Sequence, residues 1–240
     1  MDYYSECNRI FGTDITKPDT EFHIPFGWHG SAHGMELMKC LWGIENKLIN
    51  TLFDAIKDDG VEGDLLEFGV WQGSGLKRII EQRERVDLDA AVFGFDSFEG
   101  LPTPTEFDRP EWPEGKFADT SIGAVAERIN LSQRDNVKLV KGWFNESCRR
   151  PEISGAINKV AYVRIDCDHY QSTLDCLGFL ESRLSHGSFI TFDDWLPGRS
   201  EGECKAFFEW TATGGKHLKF EHVYSIAQGI THMRVLRRGA

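Results

Sequence analysis

The chain has 240 residues, 27 of them basic and 38 acidic, so its formal net charge is −11. Hydrophobic residues make up 40% and charged residues 27%, which indicates a soluble globular protein rather than a disordered chain. The acidic balance argues against a nucleic-acid partner, because phosphate contacts need clustered lysine and arginine. There is no apolar run of the roughly 18–20 residues that a membrane span needs, and no signal-peptide pattern at the start. We therefore expect a cytoplasmic protein with reduced cysteines and no membrane partner.

The first sixty residues differ in pattern from the rest. Residues 1–34 mix aromatic, glycine, histidine and proline residues without a clear period. Residues 35–58 are predicted to form one helix. Its apolar residues recur at steps of three and four, namely Leu37, Leu41, Ile44, Leu48, Leu52 and Ile56. We expect residues 1–60 to form an N-terminal extension, with a lid and a helix, and residues 61–240 to form the main domain.

From residue 64 onward, predicted strands and helices alternate. Strands are expected at 64–70, 90–96, 137–140, 160–166, 188–193, 216–224 and 231–237, and helices at 74–85, 121–131, 170–184 and 201–212. Such alternation predicts an α/β fold with a mostly parallel sheet and helices on both faces. The link 225–230 is too short for a crossover helix, so the last two strands must be antiparallel to each other.

Ligands of open α/β sheets bind beyond the carboxyl ends of the strands. The first strand ends in the turn Glu67–Gly75, which contains three glycines but no G-x-G-x-x-G pattern. The second strand ends in Asp96, where an acid can accept hydrogen bonds from ribose hydroxyls. Together they favour an adenosine-containing ligand, and S-adenosylmethionine fits the turn better than NAD. The alternatives are a strand-to-helix turn that simply needs glycine, and an Asp96 that only shapes a loop.

Acidic residues also follow two later strands. Asp166 and Asp168 end the fourth strand, and period-two alternation puts them on the same side if the strand persists. Asp193 and Asp194 end the fifth. Four unpaired carboxylates at one sheet edge would repel each other, and a hard cation such as Mg²⁺ or Ca²⁺ would relieve this. The alternative is that they are separate helix caps and solvated strand ends.

Further candidates come from the aromatic and histidine residues. Four tryptophans could stack on a ligand or pack in the core: Trp71, Trp112, Trp143 and Trp195. Three histidines, His23, His29 and His33, lie near Trp28. The proline-containing loop 97–120 is long enough to be functional or mobile. We expect residues 1–34 and loop 97–120 to close over the site when ligand binds.

Five segments in this order resemble the motifs of the macrocin O-methyltransferase family. They are 66–74 (LEFGVWQGS), 94–102 (GFDSFEGLP), 141–144 (KGWF), 164–173 (RIDCDHYQST) and 193–195 (DDW). The resemblance spans roughly residues 60–210. It departs from the family pattern at Cys167, where glycine is usual, and at His169, where an aliphatic residue is usual. Both departures lie on the expected substrate side of the site.

The resemblance implies a Rossmann-like class I methyltransferase fold, with a mostly parallel seven-stranded sheet and an antiparallel last strand. It also implies an enzyme, an S-adenosylmethionine- and Mg²⁺-dependent O-methyltransferase that acts on a hydroxylated natural product. By motif, the metal ligands are Asp166, Asp193 and Asp194, the catalytic residues are Asp168 and Asp166, and the cofactor-binding residues are Glu67, Gly69, Ser74, Asp96 and Ser97. We expect a homo-oligomer. The alternatives are N-methylation or another reaction on the same scaffold, or a non-catalytic cofactor-binding partner.

Overall fold

The computed structural model describes residues 9–10, 32–195, 201–226 and 229–237, with side chains of the first long helix described from Gly43 onward. The helices are α1 (Ala32–Asp58), α2 (Ser74–Arg85), α3 (Ile122–Arg128), α4 (Phe144–Ser147), α5 (Pro151–Ser154), α6 (Tyr170–Leu180) and α7 (Gly202–Ala212). The strands are β1 (Asp64–Phe68), β2 (Val92–Asp96), β3 (Val137–Lys141), β4 (Val160–Ile165), β5 (Leu184–Phe192), β6 (Leu218–Ile226) and β7 (Ile230–Arg237). Short 3-10 turns lie at Leu131–Gln133 and Gly214–His217.

The seven strands form one sheet in the order β3-β2-β1-β4-β5-β7-β6. Strands β1 to β5 pair in parallel, and β7 runs antiparallel to both β5 and β6. The predicted seven-stranded sheet with an antiparallel last strand is therefore confirmed. The reversed strand lies between β5 and β6 rather than at the edge.

Most predicted elements are present, with shifted ends. Strand β1 stops at Phe68 because Gly69 turns the chain with a φ of 88°. Strand β5 starts at Leu184, four residues earlier than expected. The helix predicted at 121–131 ends at Arg128 and gives way to the 3-10 turn. The single-turn helices α4 and α5 are too short to produce a periodic pattern, so the sequence does not predict them.

The two faces of the sheet carry separate cores. On one face, here called the α6–α7 face, inward residues such as Phe68, Phe95 and Phe192 pack with the helix residues Leu177 and Phe207. On the other, the α1–α2 face, Leu65, Tyr162 and Phe189 pack with residues of α1, α2 and α3. Helices thus cover both faces, as predicted.

The C-terminal half of α1 belongs to the second of these cores. Ile49, Leu52, Phe53 and Ile56 are buried, and Arg78 of α2 donates a hydrogen bond of 2.5 Å to the Glu45 carboxylate. The division of the chain at residue 60 stays a prediction. Within the described residues, no helix is both long and apolar enough to cross a membrane.

A row of polar side chains crosses the α1–α2 face near the edge of the sheet where the parallel strands end. Strand register aligns its five members, Glu67, Arg164, Thr191, His232 and Tyr224. Thr191 Oγ1 lies 2.7 Å from His232 Nδ1, and the rings of His232 and Tyr224 are 4.2 Å apart. We call this set the polar row. At its Glu67–Arg164 end it meets the site described next.

Candidate active site

A cavity of about 430 Å³ lies at the carboxyl ends of the strands. Its lining includes every residue proposed above as catalytic, cofactor-binding or metal-binding: Glu67, Gly69, Ser74, Asp96, Ser97, Asp166, Asp168, Asp193 and Asp194. This volume falls in the range of small-molecule and cofactor sites. The fold therefore brings the predicted residues to one place, while their individual roles remain predictions.

The glycine turn lets β1 and α2 approach the fourth strand closely. An ideal Cβ at Gly69 would lie 1.7 Å from the carbonyl oxygen of Asp166, so no side chain fits there. At Gly75 it would lie 1.9 Å from Glu67 Oε1. Gly73 precedes α2 with a φ of 85°, a conformation that favours glycine. Close contact with residues of the cavity wall thus explains the glycines at positions 69 and 75.

Glu67 is a buried acid beneath the start of α2. Its Oε1 lies 3.5 Å from Arg164 Nε, and its Oε2 has no hydrogen-bond partner among the described residues. Burial raises the pKa of Glu67 to about 8, against the opposing effect of Arg164. A buried acceptor without a partner beside a cavity is suited to a ligand hydroxyl or amine.

Asp96 shapes the glycine turn from the second strand. Its Oδ2 accepts hydrogen bonds of 2.8 Å from the N–H groups of Val70 and Trp71, and its Oδ1 accepts one of 2.6 Å from Phe98 N–H. This is the loop-shaping geometry that sequence analysis left open as an alternative. Oδ1 can accept a second bond, so ribose binding by Asp96 stays a prediction.

The two predicted cofactor-binding serines have partners within the protein. Ser97 Oγ donates to the carbonyl of Gly100 and accepts from Glu99 N–H, each at 3.0 Å. Ser74 Oγ accepts a 3.0 Å hydrogen bond from Arg128. Both serines line the cavity, so they can contact a bound ligand as well.

Three carboxylates form a group that could hold a metal ion. Asp166, Asp193 and Asp194 each offer an oxygen, and these oxygens lie within 4.8 Å of one another. We call these three together with Asp168 the acidic cluster. Burial raises the pKa of Asp166 and Asp194 well above the usual range, and neighbouring aspartates add to the effect. All-oxygen ligands with raised pKa values suit a hard divalent cation, which would lower those values again.

Sequence analysis missed the cation already present in this group. Arg164 is buried, and its Nη2 lies 2.5 Å from Asp193 Oδ1 and 3.4 Å from Asp166 Oδ2. Within the described part of the chain, Arg164 uses one oxygen of each acid, so the second oxygens can face another cation. The available signal was an arginine inside the otherwise apolar strand 160–165, since buried arginines need partners.

Asp168 reaches the cavity by a turn rather than by strand alternation. Strand β4 ends at Ile165, and Asp168 has a φ of 61°, so the strand does not persist to Asp168 and the condition for alternation is not met, although the residue does line the cavity. The carboxyl groups of Asp168 and Asp194 share a hydrogen bond. Burial first, and then the charge of Asp166, raise the pKa of Asp168 to about 7. Such a group can exchange a proton near neutral pH.

Loop 97–120 lies across the cavity and is bonded to the neighbouring loops. His169 Nε2 lies 3.1 Å from the carbonyl of Trp112, and Tyr170 N–H donates 2.6 Å to Asp108 Oδ1. Arg109 stacks 4.3 Å from the Trp112 ring. His169 thus contacts the backbone of the loop. The family pattern has an aliphatic residue at this position, which could not make this hydrogen bond.

The predicted aromatic residues divide between ligand wall and core. Trp71, Trp112 and Trp143 line the cavity. Trp195 is instead buried among Phe192, Phe207 and Phe208, which makes it a core residue. His23 and His29 lie outside the described residues, as does the side chain of His33.

The sheet order, with β7 the reversed strand and a cavity at the carboxyl ends, defines a class I methyltransferase fold. A solved calicheamicin methyltransferase has this fold with a TM-score of 0.67 and 20% identity, covering 92% of this chain and 99% of that one. A family model for macrocin O-methyltransferase (TylF) matches residues 44–212. The chain belongs to the macrocin O-methyltransferase family.

Two curated relatives are similar over about two thirds of the chain. Mycinamicin III 3''-O-methyltransferase from Micromonospora griseorubida is 32% identical, over 68% of this chain and 65% of its own length. 8-Demethyl-8-(2,3-dimethoxy-alpha-L-rhamnosyl)-tetracenomycin-C 4'-O-methyltransferase from Streptomyces olivaceus is 31% identical, over 70% of this chain and 64% of its own length. The match therefore spans a little under two thirds of each relative.

Proposed function

We propose that this protein transfers the methyl group of S-adenosylmethionine to a hydroxyl of a small natural product, such as a sugar hydroxyl. The observation that carries the proposal is one cavity that joins the glycine turn to the acidic cluster. Membership of the family and the names of both relatives, which are O-methyltransferases, support it. The acceptor class is taken from those names.

We propose that Asp166, Asp193 and Asp194 hold Mg²⁺. Their clustered oxygens and raised pKa values fit a hard cation. When bound, the ion supplies a positive charge that favours the alkoxide form of the acceptor hydroxyl. The donor fits the other half of the cavity, where Glu67, Asp96 and the close backbone of the glycine turn are proposed to bind it.

The remaining chemistry belongs to the residues of this chain. Asp168 is proposed as the base that takes the hydroxyl proton, because its carboxylate lines the cavity beside the three proposed metal ligands. Loop 97–120 excludes water from the cavity, and the indole rings of Trp71 and Trp112 supply flat faces for the acceptor. The rest of the rate enhancement comes from holding the methyl group of the donor in line with the acceptor oxygen.

Asparagine substitutions separate the proposed roles. Asp193→Asn should weaken Mg²⁺ binding, and excess Mg²⁺ should partly restore methyl transfer. Asp168→Asn should lower the turnover rate by roughly 10²–10⁴ without such rescue. Asp135→Asn, an exposed acid at the opposite end of the sheet, is the matched control. Methyl transfer to a rhamnosylated natural product would be followed with Mg²⁺ and with chelator, beside calorimetric titration with S-adenosylhomocysteine and NAD. Full activity in chelator would show that methyl transfer does not need the metal. Tight binding of NAD without binding of S-adenosylhomocysteine would show that S-adenosylmethionine is not the donor.

We also propose that the protein works in the cytoplasm as a homo-oligomer, without nucleic acid or membrane. The net charge of −11 supports the absence of a nucleic-acid partner. Sedimentation velocity at several protein concentrations tests the oligomer. A monomer at micromolar concentration would contradict it.

A further inference from the structure

A buried acid outside the predicted site joins two of its loops. Glu203 lies in the first turn of α7 and is fully buried. Its Oε1 accepts a 3.1 Å hydrogen bond from Cys167 N–H, and its Oε2 accepts a 3.0 Å bond from Asp194 N–H. One carboxylate therefore connects the loop after β4 with the loop after β5. These are the loops that carry the acidic cluster.

The preceding glycine brings α7 against the same loops. Gly202 has a φ of 53°, and an ideal Cβ there would lie 2.8 Å from the carbonyl oxygen of Asp168. Its N–H donates a 2.8 Å hydrogen bond to the carbonyl of Phe107 in loop 97–120. The start of α7 thus contacts three segments of the cavity wall at once.

An acid at this place is costly unless it does something that a neutral residue cannot. The Glu203 side chain is fully buried, so the carboxylate loses its solvation by water. Two backbone N–H groups that converge on one side chain need two acceptor oxygens. A glutamine would turn an NH₂ group toward one of them, and an alanine would leave both unpaired.

We propose that Glu203 is a positioning residue of the acidic cluster. By accepting from Cys167 and Asp194, it sets the separation of Asp168 and Asp194 and the spacing at which the cluster binds a divalent cation. This inference rests on the cation site of the proposed function.

The test compares two glutamates of one helix. Glu203→Gln keeps size and one acceptor oxygen, whereas Glu209→Gln changes a carboxylate that bonds to Lys205 and Tyr170 instead. Mn²⁺ affinity would be measured by electron paramagnetic resonance, and S-adenosylhomocysteine affinity by calorimetry. We expect Glu203→Gln to weaken Mn²⁺ binding about tenfold or more, the usual effect of losing a group that orients metal ligands. S-adenosylhomocysteine should bind within about twofold of wild type, and Glu209→Gln should keep both affinities.

Wild-type Mn²⁺ affinity in Glu203→Gln would overturn the inference. If Glu203→Gln does not fold, Glu203→Asp decides in its place, because it keeps both oxygens but cannot reach both N–H groups; it must also weaken Mn²⁺ binding. If the wild-type protein binds no Mn²⁺, the proposed cation site fails, and amide hydrogen exchange then tests Glu203. Faster exchange at Cys167 and Asp194 in Glu203→Gln would support the positioning role, and unchanged exchange would refute it.

Discussion

The two faces of the sheet bury different kinds of side chain. On the α6–α7 face, Phe207 packs its ring against Phe192, Trp195 and Phe220 at centroid distances of 5.0–5.4 Å. Burial of the phenylalanine rings in this cluster needs no hydrogen-bond partner. On the α1–α2 face, the polar row lies in the corresponding layer, with Tyr224 half-buried and its other members buried. There, stability depends on pairing as well as on packing.

The polar row is only partly satisfied. Among the described residues, Glu67 Oε2, Tyr224 OH and His232 Nε2 are buried without hydrogen-bond partners. Burial, and then the charge of Arg164, lower the pKa of His232 to about 3, so this histidine is neutral. Arg164 belongs to the row and also pairs with two acids of the acidic cluster, Asp166 and Asp193. The α1–α2 face therefore contributes less to the stability of the fold than an apolar face would, because it holds the charged groups of the site.

The largest effect is expected where the row meets the acidic cluster. Arg164→Met should lower the free energy of unfolding by about 3–5 kcal/mol at pH 8, because buried carboxylates lose their cation. The loss should be smaller at pH 5, where acids with raised pKa values, such as Glu67, hold a proton. Urea denaturation of chelator-treated protein at both pH values measures this. Lys219→Met, at an exposed position of β6, is the control. Equal losses at both pH values would show that Arg164 acts by packing alone.

The aromatic face should respond without a pH dependence. Phe207→Ala removes a fully buried ring and should cost about 3–4 kcal/mol of unfolding free energy through lost burial and a cavity. The same denaturation series applies, and S-adenosylhomocysteine affinity should stay near wild type because Phe207 does not line the cavity. If the loss of unfolding free energy differed between pH 5 and pH 8, the aromatic face would depend on charged groups as well, and the proposed difference between the faces would be wrong.

A substitution of Glu67 tests whether its buried carboxyl group stabilises or destabilises the folded protein as the pH rises. Its folded-state pKa of about 8 lies above the ordinary value of 4.5, so the folded protein holds this proton more tightly than the unfolded chain. The resulting stability is complete below about pH 4.5 and is lost as the pH rises through 8. Glu67→Gln should therefore flatten the decline in metal-free protein and raise stability at pH 8 by about 1–3 kcal/mol. An unchanged slope of stability against pH would assign the decline to other acids.

The smallest effect is expected at the interior of the row. Thr191→Val keeps the shape of the side chain but removes the hydroxyl that bonds to His232 Nδ1, which should cost about 1 kcal/mol. Thermal unfolding measures it, with Ser132→Ala, which removes a hydroxyl at an exposed position, as the control. A stabilised Thr191→Val protein would mean that this bond is not needed on the buried face.

Local patterns were enough to predict much of the fold and the location of the site. Short apolar strands alternating with helices specify a parallel sheet, and parallel strands bring their carboxyl ends to one edge. For this reason the strand pattern alone assigns Glu67, Asp96, Asp166 and Asp193 to one edge of the sheet. The short link 225–230 likewise determines the antiparallel pairing of the last two strands.

Only the tertiary structure decided what those residues contact. The hairpin of β6 and β7 could have added either strand to β5, and long-range pairing selected β7. The pairing of Arg164 with Asp193, the burial of Trp195 and the bridge made by Glu203 depend on strand register and helix packing between segments far apart in sequence. A single sequence specifies periodicity along one segment, whereas these contacts arise only when separate segments meet, and no local pattern contains that information.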